Sequence, residues 1–397
     1  MLEGIRILDL SRALAGPYGT LLLGDLGAEI IKIEMPGGGD DTRKNKIISV
    51  NGVSAYFISI NRNKKSLVLD LTKEKGRELF YEMVKKADAV YDNFRPGVVE
   101  KLKIDYDTLK EINPGIICCS ISGYGHTGPF KDRPAFDLVI QGISGEMSIT
   151  GESGRPPVRM GVPMGDLAGG LFSAIAVNAA LIQRNRTGLG QKIDLSLLDC
   201  QISLLSYVAQ YHLVTGIIPQ PIGSAHQTIV PYQAYRCQDR HVVVACFTEK
   251  FWPLFCKVLG REDLVSDSRF AGPFERVRNR LELERIVEEV LAARTADEWL
   301  QLLDEANVPA GPINTVDKAL TDPQVLAREM VVELEDPLMG KYKSVGNPIK
   351  STDLEKSQVF NVPPRLGQHT REILRELLEY DEQRFNQLID EKVVEAE

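Results

Sequence analysis

One carboxylate in this chain stands out by its surroundings. Asp166 lies in the run from Val162 to Gly170 (VPMGDLAGG), among small and apolar residues. A carboxylate with few polar neighbours is poorly solvated, which raises its pKa or its nucleophilicity. Gly165, Ala168, Gly169 and Gly170 leave room for a large substrate to reach the backbone. The apolar stretch from Leu171 to Leu181 predicts a helix, so Asp166 falls at or near a helix N-terminus, where negative charge is favoured. Two roles fit this local pattern equally: an Asp that caps the helix, or a carboxylate that attacks a substrate.

Other chemistries find less support. The histidines, at 126, 212, 226, 241 and 369, are scattered. The cysteines, at 118, 119, 200, 237, 246 and 256, make no C-x-x-C pair, and no H-E-x-x-H occurs, so no metal site is expected. Gly123 to Gly128 (GYGHTG) matches G-x-G-x-x-G after a predicted strand. The run Pro129 to Pro134 that follows cannot open a regular helix, so an irregular loop is expected there, not a dinucleotide site. No phosphate-binding P-loop and no G-x-S-x-G nucleophile elbow is present.

The elements that must position Asp166 alternate. Strands are expected at Ile5–Leu10, Glu29–Glu34, Ser66–Leu71, Ala89–Asp92 and Ile116–Ile121, and helices at Ala15–Leu26 and Glu74–Lys86, with a short one at Val98–Leu102. Strand, helix and strand in turn signal a parallel α/β sheet. Gln191–Leu198 reads as a strand or as the start of a helix that runs on to about Val214. Residues 215–231, rich in Gly, Pro and Ile, read as a linker. A hairpin over Gln233–Phe247 and helices up to Leu320 suggest a smaller α+β domain, and terminal helices follow His369 and Asp381.

The chain has 397 residues, 43% of them hydrophobic, enough for a large core in two domains or one elaborated one. The net charge of −8 without a dense basic run argues against nucleic acid or an anionic membrane surface as partner. The start of the chain (MLEGIR) does not read as a signal peptide, and no run of about 18 uninterrupted apolar residues suggests a transmembrane helix. Free thiols then point to the cytoplasm.

Seven short motifs occur in order: Leu8–Pro17 (LDLSRALAGP), Leu23–Glu34 (LGDLGAEIIKIE), Asn61–Ser66 (NRNKKS), Asp92–Gly97 (DNFRPG), Ser122–Gly125 (SGYG), Gly165–Asp166, and Gly190–Leu197 (GQKIDLSL). With Pro363–Glu372 (PPRLGQHTRE) near the C-terminal end, the chain resembles the class III coenzyme A transferases, a family that also holds the α-methylacyl-CoA racemases. The resemblance implies a Rossmann-like α/β domain built from residues 1–214 and 330–397, with the smaller domain, 232–329, inserted between. It implies a homodimer of interlocked chains, and coenzyme A or acyl-CoA as substrate with no tightly bound cofactor. It carries Asp166 over as the nucleophile. It places CoA against Ala13, Leu14 and Ala15, Asn61, Arg62 and Asn63, Asn93, Phe94 and Arg95, Lys101, Arg133, Ala135 and Asp137. Cations from separate loops, with Arg12 and Lys64 among them, suit the CoA phosphates. Two positions often basic in the family are Met35 and Pro134 here, so Arg133 or Arg43 is expected to compensate.

The resemblance leaves transfer and racemisation to be separated. Racemases pair the Asp with a His, because one base cannot serve both faces of the α-carbon. The matching segment here is Ala135-Phe136-Asp137, and Phe136 takes no proton, which favours transfer. The run Gly223–Gln233 (GSAHQTIVPYQ) resembles the branch that moves CoA between dicarboxylates, with succinyl-CoA as the expected donor and His226, Arg155 and Arg159 as candidates for a second carboxylate. A racemase and a non-catalytic CoA-binding subunit remain the alternatives.

Overall fold

The computed structural model describes residues 1–352 and 360–397. It divides into two compact units, one of residues 1–147, 159–217 and 324–397, the other of 148–158 and 218–323.

The larger unit is built on a seven-stranded sheet. Its strands lie in the order Val394–Glu395, Lys64–Leu69, Glu29–Glu34, Arg6–Asp9, Ala89–Asp92, Ile117–Ser122 and Lys192–Ser196. All neighbours are parallel except Val394–Glu395, which pairs antiparallel through Val394 and Leu69. The six parallel strands follow the Rossmann order, which reverses between Arg6–Asp9 and Ala89–Asp92. A parallel sheet must be covered on both faces. Leu8, Ile31, Leu67 and Val90 face a core completed by Phe80, Met83, Leu374 and Phe385. Ile7, Ile30, Tyr91 and Ile117 face the opposite core, made by Leu23, Ala174, Val177 and Leu181. Cys118 and Cys119 lie in these cores as small apolar residues.

The helix that carries Asp166 runs from Met164 to Thr187. By length and composition it could cross a membrane, with a mean hydropathy of 1.5, although its apolar residues are interrupted. Half of that stretch is buried within the protein, as suits a core helix. It crosses the Ala15–Asp25 helix at glycines, so close that a Cβ on Gly19 would stand 2.4 Å from Ser173 Oγ and 2.9 Å from Gly170 O.

Charged residues reach into the sheet as well. Lys64 and Asp9 are both fully buried and pair at 3.1 Å. Burial pushes the Lys64 ammonium down to about 8. Burial also opposes the Asp9 charge, but Lys64, Lys32 and the hydroxyls of Ser11 and Thr20 outweigh it and hold the carboxyl below the usual range. The pair is therefore ionised at neutral pH.

Two sequence ambiguities resolve. Lys192–Ser196 is a strand and a helix starts at once at Leu197, capped by Ser196. The segment after Gly128 opens no helix before Asp137, so GYGHTG is an irregular loop. The smaller unit has its own core around Trp252, Phe255, Leu283 and Trp299, under a three-stranded antiparallel sheet of Tyr232–Arg236, His241–Ala245 and Ala310–Pro312.

Candidate active site

In a sheet of this order, ligands bind beyond the carboxyl ends of the strands where the order reverses. Two loops meet there. The Arg12 N–H donates to Asn93 Oδ1 at 2.8 Å, and Asn93 Nδ2 donates to the Arg12 carbonyl at 2.7 Å. This bridge joins the loop of Ala13, Leu14 and Ala15 to that of Asn93, Phe94 and Arg95. Ala13 takes a left-handed conformation, φ 61°, and its N–H faces Asp40 Oδ1 at 3.3 Å. Asp40 is itself held by Lys32 at 2.9 Å, and Lys32 also donates to the Ser11 carbonyl. The loop is thus pinned from below by buried charges.

The cations fall into two groups. Arg62 is buried, with Nε 2.9 Å from Asp25 Oδ1, and stacks on Phe360. Arg43 makes a bidentate pair with Glu34 at 2.8 and 2.7 Å and stacks on Phe57 at 3.7 Å. Lys64 is paired to Asp9. The charges of these three are already balanced inside the protein. Arg95, Lys101 and Arg133 are exposed and, among the described residues, pair with no carboxylate. Arg12 lies over the Phe94 ring, and Arg133 over Phe130 at 3.8 Å. Asn61 and Asn63 serve the fold: Asn61 Nδ2 donates to Phe57 O, and Asn63 bridges Asp25 and the backbone of Asn361.

Asp166 sits in the first turn of its helix, half-buried. It is not the cap: the residue before the helix is Pro163, with no side-chain cap. The first-turn N–H groups are taken elsewhere. Gly165 N and Asp166 N donate to Asp137 Oδ1 at 2.8 and 3.3 Å, and Leu167 N donates to Pro163 O. Among the described residues nothing donates a hydrogen bond to the Asp166 carboxylate. Burial, and then the negative charge of Asp137, push its pKa up to about 7. Those N–H groups are not available as an oxyanion hole.

Ala135 and Asp137 come close to this centre. A Cβ on Gly123 would stand 2.3 Å from Ala135 Cβ, so the glycine loop packs directly under this segment. Phe136 is 79% exposed. Three neighbours carry no signal in the motifs. Tyr56, on the helix Ala55–Ile60, has a phenol raised by burial and by the fields of Asp166, Asp40 and Asp137. Gln141 and Gln201 are buried beside Asp137 and Gly165. Their side chains become visible only when separate helices pack. No group of His, Cys, Asp or Glu that could hold a metal occurs among the described residues.

This arrangement offers a poorly solvated carboxylate, and at the switch point of the sheet two loops joined through Arg12 and Asn93. Comparison with known proteins gives the family. The CoA-transferase family III profile matches residues 2–370. The chain is 41% identical over 394 residues to the succinyl-CoA:glutarate CoA-transferase of Homo sapiens, covering 99% of this chain and 90% of that protein. It is 37% identical to a succinate--glutarate CoA-transferase of Agrobacterium fabrum, over 95% of each chain. A crystal structure of a CaiB/BaiF family protein from Brucella suis superposes with a TM-score of 0.82 at 40% identity, over 95% of this chain and 99% of that one. On its sequence and its fold, the chain belongs to CoA-transferase family III.

Proposed function

We propose that this enzyme moves CoA from succinyl-CoA to a dicarboxylic acid, with Asp166 as covalent nucleophile. The observation that carries the reading is the Asp166 carboxylate itself: half-buried, without a hydrogen-bond donor among the described residues, and raised to about 7. The names of the relatives above support the donor and the class of acceptor.

The Asp166 carboxylate attacks the thioester carbonyl, forming an acyl–aspartyl anhydride and expelling CoA thiolate. The thiolate attacks the aspartyl carbonyl, giving an aspartyl-CoA thioester and free succinate. The acceptor carboxylate attacks that thioester, forming a second anhydride and releasing the thiolate again. The thiolate then takes the acceptor's acyl group and regenerates the Asp166 carboxylate. Both intermediates hydrolyse, so the pocket must exclude water. Arg95, Lys101, Arg133 and Arg12 are the cations we assign to the CoA phosphates, because their charges are not spent on internal pairs. Ala13, Leu14, Ala15, Asn93 and Phe94 line the approach.

The second copy of the chain has a surface to meet. Leu171, Ile175 and Ile182 form one exposed apolar face of the Asp166 helix. Ile202, Tyr207, Leu213 and Val214 extend the exposed apolar surface along the following helices. Patches of this kind mark interfaces, and we assign this one to the interlocked homodimer, with the small domain inserted in the large one. We place the enzyme in the cytoplasm, in keeping with six buried, unpaired cysteines.

The test is incubation of the purified chain with succinyl-CoA and glutarate, malate or mesaconate, followed by mass spectrometry. A new CoA ester is expected, with a CoA adduct on the peptide that contains Asp166. Turnover near wild type in Asp166→Ala would sink the mechanism. A change in α-stereochemistry alone would establish the racemase instead. No turnover until a second, different chain is added would establish a subunit of a hetero-oligomer.

A further inference from the structure

We infer that Asp137 is the positioning residue of Asp166, locked in that task by Gln141, and is not a contact of CoA. The inference rests on Asp166 being the nucleophile.

Asp137 is buried at the start of the helix Asp137–Ile143. Its Oδ1 receives the N–H groups of Gly165 and Asp166 at 2.8 and 3.3 Å. Its Oδ2 receives Gln141 Nε2 at 2.6 Å. Gln141 is fully buried, and its Oε1 receives the Met160 N–H at 2.9 Å. One relay therefore fixes the chain that enters the catalytic helix at three points: Met160, Gly165 and Asp166. Both carboxylate oxygens are engaged, and the protein's own N–H groups fill three of their four acceptor positions. The fit is tight: a Cβ on Gly165 would stand 3.0 Å from Asp137 Oδ1 and 3.3 Å from Gln201 Nε2.

Two consequences follow for Asp166. The N–H groups that would solvate an anion at the helix start are spent on Asp137, which leaves the attacking carboxylate bare. A second negative charge also stands beside it and raises its affinity for protons. Among the described residues, the other ionisable groups facing this pair are Tyr56, which feels both carboxylates, and Glu146, which feels Asp137; neither is a cation.

The variants that separate the contributions are Asp137→Asn, which keeps an acceptor and removes the charge, and Asp137→Ala, which removes both. The readout is kcat/KM for succinyl-CoA against pH, with KM and kcat resolved and the fold checked by thermal melting. In Asp137→Asn the acid limb should move to lower pH by about one unit, since a like charge has been withdrawn. KM for the acyl-CoA should stay within about twofold, because no ligand contact is lost. Asp137→Ala should lose kcat by at least about tenfold through misplacement, with Asp137→Asn recovering part of it. A raised KM with an unmoved limb would make Asp137 a CoA contact and overturn the inference, as would two variants indistinguishable from wild type. If Asp137→Ala does not fold, Asp137→Asn decides by the same limb. Absence of transfer by the wild type would sink the Asp166 reading; transfer with an unmoved limb in the variants sinks this one alone.

Discussion

The backbones at Ala15 and Gly170 touch: a Cβ on Gly170 would stand 2.7 Å from the Ala15 carbonyl oxygen, and 2.9 Å from Tyr18 Cδ1. Ala15 ends the loop at the switch point of the sheet, and Gly170 lies one turn beyond Asp166 on the helix that carries it. The loop at the switch point and Asp166 are therefore held by the close packing of two helices, in which Gly19 and Gly170 both take part. Gly170→Ala should push the helices apart, costing about 1–3 kcal/mol by overpacking, and should lower kcat. Gly142→Ala is the control, since a Cβ there meets only Met147 Sδ, at 3.8 Å. It should be neutral or slightly stabilising, as Ala favours a helix by up to about 1 kcal/mol over Gly. Urea denaturation and turnover of both variants check this.

Asp166→Asn should abolish transfer and stabilise the protein at pH 8. The folded pKa, about 7, is above the ordinary 3.8, so Asp166 costs stability progressively as pH rises from about 4 to about 7, and the full cost stands above 7. The gain should be about 1–2 kcal/mol, well below the full shift because solvent still reaches the group. It should shrink at pH 5, where wild-type Asp166 is already protonated. Melting temperatures at the two pH values test the sign.

Stability of the whole chain should peak in mildly acidic solution. Asp92, raised to about 6 by burial against the bonds from Ser120 and Phe94, and Asp166 take up protons on folding. Their contribution improves as pH falls from about 7 towards the ordinary carboxyl value near 4. Asp9, Glu34 and Asp40 are lowered by Lys64, Arg43 and Lys32, which outweigh burial. Their contribution is present above about 4 and is lost as pH falls below it. Denaturation midpoints that rise steadily from pH 5 to 8 would contradict this.

Arg62 and Arg95 should fail differently when each is replaced by Met. Arg62 balances the buried Asp25, so its loss should cost about 3–5 kcal/mol of stability. Arg95 is exposed and should leave stability unchanged while raising KM for the acyl-CoA, an effect that fades with salt. Melting and acyl-CoA titration of the two variants, at low and high salt, separate them.

Much of the frame was legible in the chain itself. The parallel strands announce themselves because buried β-strands need runs such as EIIKIE and ICCSIS, whatever packs on them. Glycines at 165, 169 and 170 suggest room for a substrate, but the protein's own atoms fill it: a Cβ would stand 2.5 Å from Leu197 Cδ2 at Gly169 and 2.7 Å from the Ala15 carbonyl oxygen at Gly170. The carboxylate at 166 is conspicuous because its neighbours cannot solvate it. Local sequence could not say which charges are spent. Arg62, Arg43 and Lys64 look like Arg95 and Lys101 in the sequence, yet Asp25, Glu34 and Asp9 neutralise the first three through contacts between separate elements. Asp166 as cap and Asp166 as nucleophile are likewise the same residue in the same turn. Whether it is the cap depends on who satisfies the helix N–H groups, and that is Asp137, 29 positions away. Hydrophobic pattern and backbone conformation are properties of neighbours along the chain, so sequence alone determined the elements and the suspect carboxylate. Desolvation and ion pairing depend on which distant groups meet, so only the tertiary structure decided which of the charges are bare.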